Sequence, residues 1–280
     1  MKLKLEISWR HKKMGMTIYN ETFKKAKSWV LEAGENLRIK MDEPMSVDTK
    51  SDPNDLVTSL DRETEKFFVT QIKTNFPEHK LFGEEGYGDE ISSLDGFVWI
   101  VDPIDGTMNF VHQKQNFCIS LALYKNGVGQ FGIIYNVIDD HLYVGKRNRG
   151  AFKNNKQLPP LKDNLQLEQS ILGMNHFWLC KNKLVDYRQS QNIVRTVRGT
   201  RTYGSAALEF AYVAEGILDG YLALQLSPWD VAAGLIIVQE VGGITTNIAG
   251  ESLDLLNRSS VLTCHPKIHA KIVDNFKKHS

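Results

Sequence analysis

FVWIVDPIDGT, Phe97 to Thr107, is the stretch on which the fold turns: five apolar residues run straight into two aspartates, a proline and a glycine. A short run of β-branched and aromatic residues bounded by turn formers reads as a buried strand. Pro103 fixes φ and withdraws an N–H, which predicts that the strand stops at Asp102 and the chain turns there. Asp102 and Asp105 can then face one point in space. Two anionic oxygens and a turn carbonyl at this spacing suit a hard divalent cation, Mg²⁺ ahead of Ca²⁺ or Mn²⁺, because no thiolate or imidazole stands beside them. Taken alone, such an Asp-x-x-Asp is better read as a turn with solvated carboxylates.

Downstream, the β-rich runs 117–124, 128–137 and 141–145 are separated by Lys125-Asn126-Gly127 and Asp139-Asp140, which predicts a largely antiparallel meander. Upstream, Phe23, Ala26, Val30, Ala33 and Leu37 recur at steps of three and four, the stripe of an amphipathic helix. That helix is expected to start after Met16, with Asn20 as its N-cap and Pro44 beyond its end, leaving residues 1 to about 15 as a loose extension. A second helix is predicted from Leu60 to about Asn75, carrying Thr64, Phe67, Phe68 and Ile72 and stopping before Pro77. After Pro159-Pro160 the pattern alternates. Strands near Ile171, 219–224, 244–247 and 259–264 are interleaved with helices near 183–194, 205–215, 230–240 and from Pro266, an α/β texture. Two halves are therefore expected. Residues 16–158 form an α+β half with two helices and an antiparallel sheet, residues 159–280 an α/β half, and the active site lies between them.

The 280 residues are 42% hydrophobic, 24% charged and 10% aromatic, which excludes a disordered, collagenous or coiled-coil chain. Thirty-four Lys plus Arg against 33 Asp plus Glu give +1, so no overall field gathers nucleic acid or an anionic membrane. Cys118, Cys180 and Cys264 have neither disulfide nor zinc-ligand spacing. The longest strongly apolar run, Val231 to Val238, is less than half a membrane span, and the basic N-terminal stretch does not read as a signal peptide. A cytoplasmic location without membrane or nucleic-acid partners is expected.

Other acidic residues stand beside Gly and Pro or at the ends of apolar runs: Gly83-Glu84-Glu85-Gly86 and Trp229-Asp230. Each alone is weak, and Asp230 alone reads as a helix N-cap. Gly204-Ser205-Ala206 opens an apolar helix, where free N–H groups suit a phosphate and Gly106 and Thr107 offer further donors; a plain N-cap at Ser205 fits equally. Lys50 reads as a solvated charge and His112 as structural or surface.

Together, DPIDGTMNFVH (102–112) and WDVAAGLIIVQEVGG (229–243) resemble the inositol monophosphatase family, whose members are Mg²⁺-dependent and lithium-sensitive. The resemblance extends to GEE at 83–85, DLVTSLD at 55–61 and RTYGSAALEFAYVAEGILDGY at 201–221, and so covers most of the chain from about residue 20. It implies a layered αβαβα sandwich of the sugar-phosphatase type and a homodimer. It further implies Glu84, Asp102, the Ile104 carbonyl, Asp105 and Asp230 as ligands of two or three Mg²⁺ ions, with Mn²⁺ as a substitute. Asp61 and Thr107 would activate water, while Asp105, Gly106, Thr107, Gly204, Ser205 and Ala206 would bind substrate. The physics agrees, since crowded carboxylates raise one another's pKa unless cations neutralise them, and two ions about 3.5–4 Å apart can generate hydroxide and stabilise a leaving oxygen.

The implied reaction is Mg²⁺-dependent hydrolysis of inositol 1-phosphate and other small phosphate monoesters by activated water. One departure widens the substrate question: members selective for inositol carry a glutamate seven residues before the aspartate of Trp-Asp, and here that position is Ala223. NADP⁺ (2′-phosphate) and fructose 1,6-bisphosphate are the alternative substrates. A regulatory protein that binds RNA or the transcription machinery is the alternative outside enzymes, and the near-neutral charge argues against general RNA affinity.

Overall fold

A computed structural model describes the backbone of residues 2–277 apart from 45, 50–55 and 163, and side chains from residue 19 onward within that range. Lys50 therefore lies outside the described residues. In chain order the elements are α1 (Lys2–Lys40), β1 (Val47–Thr49), β2 (Leu56–Thr58), α2 (Ser59–Asn75), β3 (Lys80–Gly83), β4 (Phe97–Asp105), α3 (Thr107–Gln113), β5 (Cys118–Lys125), β6 (Val128–Asn136), β7 (His141–Lys146), β8 (Gly150–Lys153) and β9 (Lys156–Gln157). There follow β10 (Ile171–Met174), α4 (Tyr187–Thr196), β11 (Gly199–Arg201), α5 (Ala206–Glu215), β12 (Gly220–Leu226), α6 (Pro228–Glu240), β13 (Ile244–Thr246), β14 (Ser259–Cys264) and α7 (Pro266–Lys277).

Side-chain alternation turns these elements into five layers. Along β4, Trp99 and Val101 face a core shared with Val30, Leu37, Phe68 and Ile72 of α1 and α2, whereas Val98 and Ile100 face Phe210 of α5 and Ile237 of α6. Along β12, Tyr221 and Ala223 face that same middle core, and Leu222 faces a third core with Ile193 of α4 and Ile272 of α7. The order is α1/α2, seven-stranded sheet, α5/α6, five-stranded sheet, α4/α7: the layered αβαβα sandwich.

The seven-stranded sheet runs β3-β4-β5-β6-β7-β8-β9 and is antiparallel except for β3–β4. The five-stranded sheet, β11-β10-β12-β14-β13, is mixed: β10 pairs in parallel with β11 and β12, and β14 antiparallel with β12 and β13. A helix between two sheets must be apolar all round, which is why Val231 to Val238 is a soluble-core segment and not a short membrane span. It presses close to the sheet, because a Cβ on Gly132 would stand 2.4 Å from the Ala233 carbonyl oxygen and one on Gly145 2.7 Å from the Ile237 Cα. Among the described residues no helix is long and apolar enough to cross a membrane.

Two expectations are corrected. The first helix does not start at an Asn20 cap after a loose extension; α1 is continuous from Lys2, and Asn20 lies inside it. In the sequence nothing between residues 1 and 20 breaks a helix except the weak Gly15, so the lack of an apolar pattern there was no signal for a boundary. Nor does β4 stop at Asp102. Pairing resumes at Asp105, with Asp102 opposite Ser120 and Asp105 opposite Cys118, so Pro103 sits in a bulge within the strand, one of the few places where a sheet accepts proline.

Candidate active site

The bulge aims Asp102 and Asp105 the same way, and the first turn of α6 adds Asp230. One carboxylate oxygen from each of these three lies within 4.8 Å of the others. Asp102 Oδ1 accepts the Ile104 N–H at 3.1 Å. Asp105 is held by the start of α5: Ser205 Oγ and the Ala207 N–H (2.7 Å) donate to Oδ2, and the Ala206 N–H (3.2 Å) to Oδ1. Asp230 is not the N-cap of its helix. That place belongs to Ser227, with Pro228 next, and Asp230 at the third helical position reaches back to accept the Ser227 N–H at 2.7 Å.

Burial pushes the Asp102 and Asp230 carboxyls well above the usual range, and mutual repulsion together with the Glu84 charge adds to it. Arg258 opposes the rise at Asp230, its Nε donating to Ser227 Oγ at 2.9 Å. Asp105, also buried, is raised only to about 6, because Ser205 and the α5 amides stabilise its charged form. Among the described residues no lysine or arginine forms an ion pair with any of the three. Three hard oxygen donors, not paired directly with a cationic side chain, fit a divalent cation. Glu84, on the loop after β3, stands outside that group of three but close enough for its charge to act on all of them.

Beside them is a second unit. Thr107 Oγ1 lies 3.1 Å from Asp61 Oδ1 and 3.0 Å from the Ile104 carbonyl oxygen, donor to either. Asp61 is buried in the first turn of α2, where it also accepts the Thr58 N–H at 2.8 Å and the Thr58 hydroxyl in a capping box. Burial pushes its carboxyl up to about 7, against the Thr58 bonds. Gly106, the N-cap of α3, has a φ of 94° that leaves the α3 N-terminus without a side-chain cap.

The reading of Gly204-Ser205-Ala206 as a phosphate cradle needs amending. Ser205 is the N-cap of α5, and the Ala206 and Ala207 amides point at Asp105, so they are not free donors. Of the α-helical N-termini at this cleft, α3 keeps Gly106 and Thr107 clear of that carboxylate. His112 is exposed in the last turn of α3.

Three residues were missed. Glu65, one turn after Asp61 and fully buried, accepts the Glu85 N–H (2.6 Å) and the Tyr87 N–H (2.8 Å) and so ties the Glu84 loop to α2. Asn109 donates to the Tyr203 and Asn116 carbonyls at 2.7 and 2.9 Å. Glu209 accepts the Tyr203 N–H at 3.0 Å. All three act on backbone groups brought near only by folding; the single local signal was the four-residue spacing of Asp61 and Glu65.

Residues 19–280 match the model of the inositol monophosphatase family. The chain belongs to that family. An inositol-1-monophosphatase of Bacillus subtilis (strain 168) is 49% identical over 261 residues, spanning 93% of this chain and 98% of the relative. The crystal structure of inositol monophosphatase-II from Staphylococcus aureus MSSA476 superposes with a TM-score of 0.84 at 40% identity, covering 92% of this chain and 94% of that one. A structure of SaIMPase-II holds 2′AMP. An IMPase/NADP phosphatase complexed with Mg²⁺ and phosphate superposes with a TM-score of 0.85 at 26% identity over 94% of this chain and 97% of that one. Like other inositol monophosphatase family members, this chain is a phosphoric monoester hydrolase.

Proposed function

We propose that this family member hydrolyses inositol 1-phosphate and other small phosphate monoesters with Mg²⁺, Asp61 and Thr107 activating the attacking water. The observation that carries the reading is the Thr107 hydroxyl between the Asp61 carboxylate and the Ile104 carbonyl, on the strand that also presents Asp102 and Asp105. Glu84, Asp102, the Ile104 carbonyl, Asp105 and Asp230 would hold two or three Mg²⁺ ions, with Mn²⁺ as a substitute. Bound there, the ions supply positive charge that neutralises the cluster, acidifies water and offsets charge on the leaving oxygen.

The chain's own residues do the rest. Asp61 takes the proton, and Thr107 relays and orients it, being able to accept from water while donating to Asp61. The Gly106 and Thr107 amides at the start of α3 bind the phosphate. Asp105 and the Gly204–Ala206 turn, locked together by Ser205, present a fixed surface to the leaving group. Asp61, Asp102 and Asp105 belong to residues 16–158, and Ser205 and Asp230 to 159–280, in keeping with two halves that meet at the site. A cytoplasmic homodimer and lithium inhibition complete the proposal.

Phosphate release from a panel of monoesters, with and without Mg²⁺, tests it. Turnover of inositol 1-phosphate that vanishes in excess chelator is expected. Undiminished turnover in chelator overturns the metal reading, and silence across the whole panel favours a role through a macromolecular partner instead.

A further inference from the structure

The turn from Tyr203 to Ser205 crosses between α3 and α5, and its first residue is gripped on both sides. Asn109, two residues after Thr107, donates to the Tyr203 carbonyl; Glu209, in the first turn of α5, accepts the Tyr203 N–H through Oε1. Glu209 is 3% exposed, and its second oxygen, Oε2, has no hydrogen-bond partner. A buried acceptor without a partner is costly, and an isolated apolar side chain would fill the space at lower cost. The opposing sheet has nevertheless made room for it, since a Cβ on Gly173 of β10 would come within 1.8 Å of Oε2. Burial pushes the carboxyl up to about 7 despite the bond from the Tyr203 amide. Next along the chain come the groups that hold Asp105: Ser205 Oγ and the Ala206 and Ala207 amides.

We propose that Glu209 is a positioning residue that, with Asn109, clamps Tyr203 and thereby delivers the N-terminus of α5 onto Asp105. It touches neither substrate nor ion. Partners of metal-ligating carboxylates typically contribute about 10- to 100-fold in metal affinity, which is the scale of effect to look for. Only this consequence for metal binding rests on the phosphatase reading; the clamp itself is measured without metal or substrate.

Hydrogen–deuterium exchange of the metal-free protein over residues 200–208 tests it in three variants. Glu209→Gln keeps an acceptor for the Tyr203 N–H. Glu209→Met keeps the volume and removes the acceptor. Gly173→Ala leaves Glu209 in place and drives its carboxyl away. Expected is exchange about tenfold faster in this segment for Glu209→Met and Gly173→Ala, with Glu209→Gln like wild type. Calorimetric titration with Mg²⁺ should show binding weakened by about tenfold or more in the same two variants and not in the glutamine variant. Wild-type exchange in Glu209→Met, glutamine behaving like methionine, or faster exchange spread over the whole chain overturns the proposal. Should Glu209→Met fail to fold, Gly173→Ala decides: wild-type exchange there overturns it.

Discussion

Asp105 receives three donors from α5, Asp230 one from its own helix cap and Asp102 one from the bulge it starts. The cluster's charge is thus only partly compensated by the protein. Asp102→Asn or Asp230→Asn substitutes an amide of equal shape for a charge that offsets desolvation of a divalent ion. Both variants should lose Mg²⁺ affinity in calorimetry and turnover in phosphate release; either one retaining wild-type values would remove that residue from the ligand set. Thr107→Ala and Asp61→Asn should act differently, lowering kcat by about 10²- to 10⁴-fold with KM changed little. Asp61 also caps α2, so a melting curve must accompany the kinetics: about 1 kcal/mol of lost stability belongs to the cap, and the kcat loss persists in the folded fraction. The aspartates were legible because each stands at the end of an apolar run beside a turn former. Glu65 and Glu209 were not, because nothing in a helix's spacing separates a glutamate that reaches backbone amides of a distant loop from one that faces water.

Two elements carry consequences of their own. Helix α6 lies against β6 and β7 where glycine replaces side chains, so Gly132→Ala places a methyl 2.4 Å from the Ala233 carbonyl oxygen. Backbone on both sides cannot yield as a side-chain tip can, and a loss of about 1–3 kcal/mol is expected in urea unfolding; no loss would mean that α6 shifts freely on the sheet. Strand β12 sends Tyr221 and Ala223 to the middle layer, and Ala223 is 3% exposed. A glutamate there must either meet ligand hydroxyls or lie buried without a partner. If position 223 faces the leaving group, Ala223→Glu raises kcat/KM for inositol 1-phosphate relative to NADP⁺, toward the roughly 10⁴-fold discrimination of sites that pair hydroxyls and above the roughly 10- to 200-fold of apolar fit. An unchanged ratio with a lowered melting temperature would place selectivity elsewhere. At this scale the strands of the meander were legible from β-rich runs bounded by turn formers, and helices α2, α5 and α6 from their apolar positions. The start of α1 and the passage of β4 through Pro103 were not, since no apolar stripe in the sequence marks the first and the second depends on a bulge set by the partner strand β5.

Across the whole molecule, the five layers bury a set of carboxyls in the cleft between α2, β4, α5 and α6, and their titration ties stability to pH. Asp61 and Asp105 have carboxyls pushed up to about 7 and about 6 from an ordinary value near 4. Between about pH 4 and 7 the folded chain therefore holds protons that the unfolded chain has released, so this contribution to stability is present at low pH and is lost as pH rises through the window. His79 and His269, whose burial lowers their pKa, act in the opposite sense as pH rises toward their ordinary value. They bond elsewhere, to Trp99 and Thr246, and their effect is the same with or without a divalent ion. The quantity that isolates the cleft is thus the gain in melting temperature on adding Mg²⁺. Protons compete with the ion for the same oxygens, so the gain should be small near about pH 5 and should grow toward about pH 8, where the uncompensated charge is largest. Differential scanning calorimetry in Mg²⁺ and in chelator across that range measures it. In Asp102→Asn the gain should shrink at high pH and change least at low pH; a gain independent of pH in the unaltered protein would mean that the ion binds away from these carboxylates.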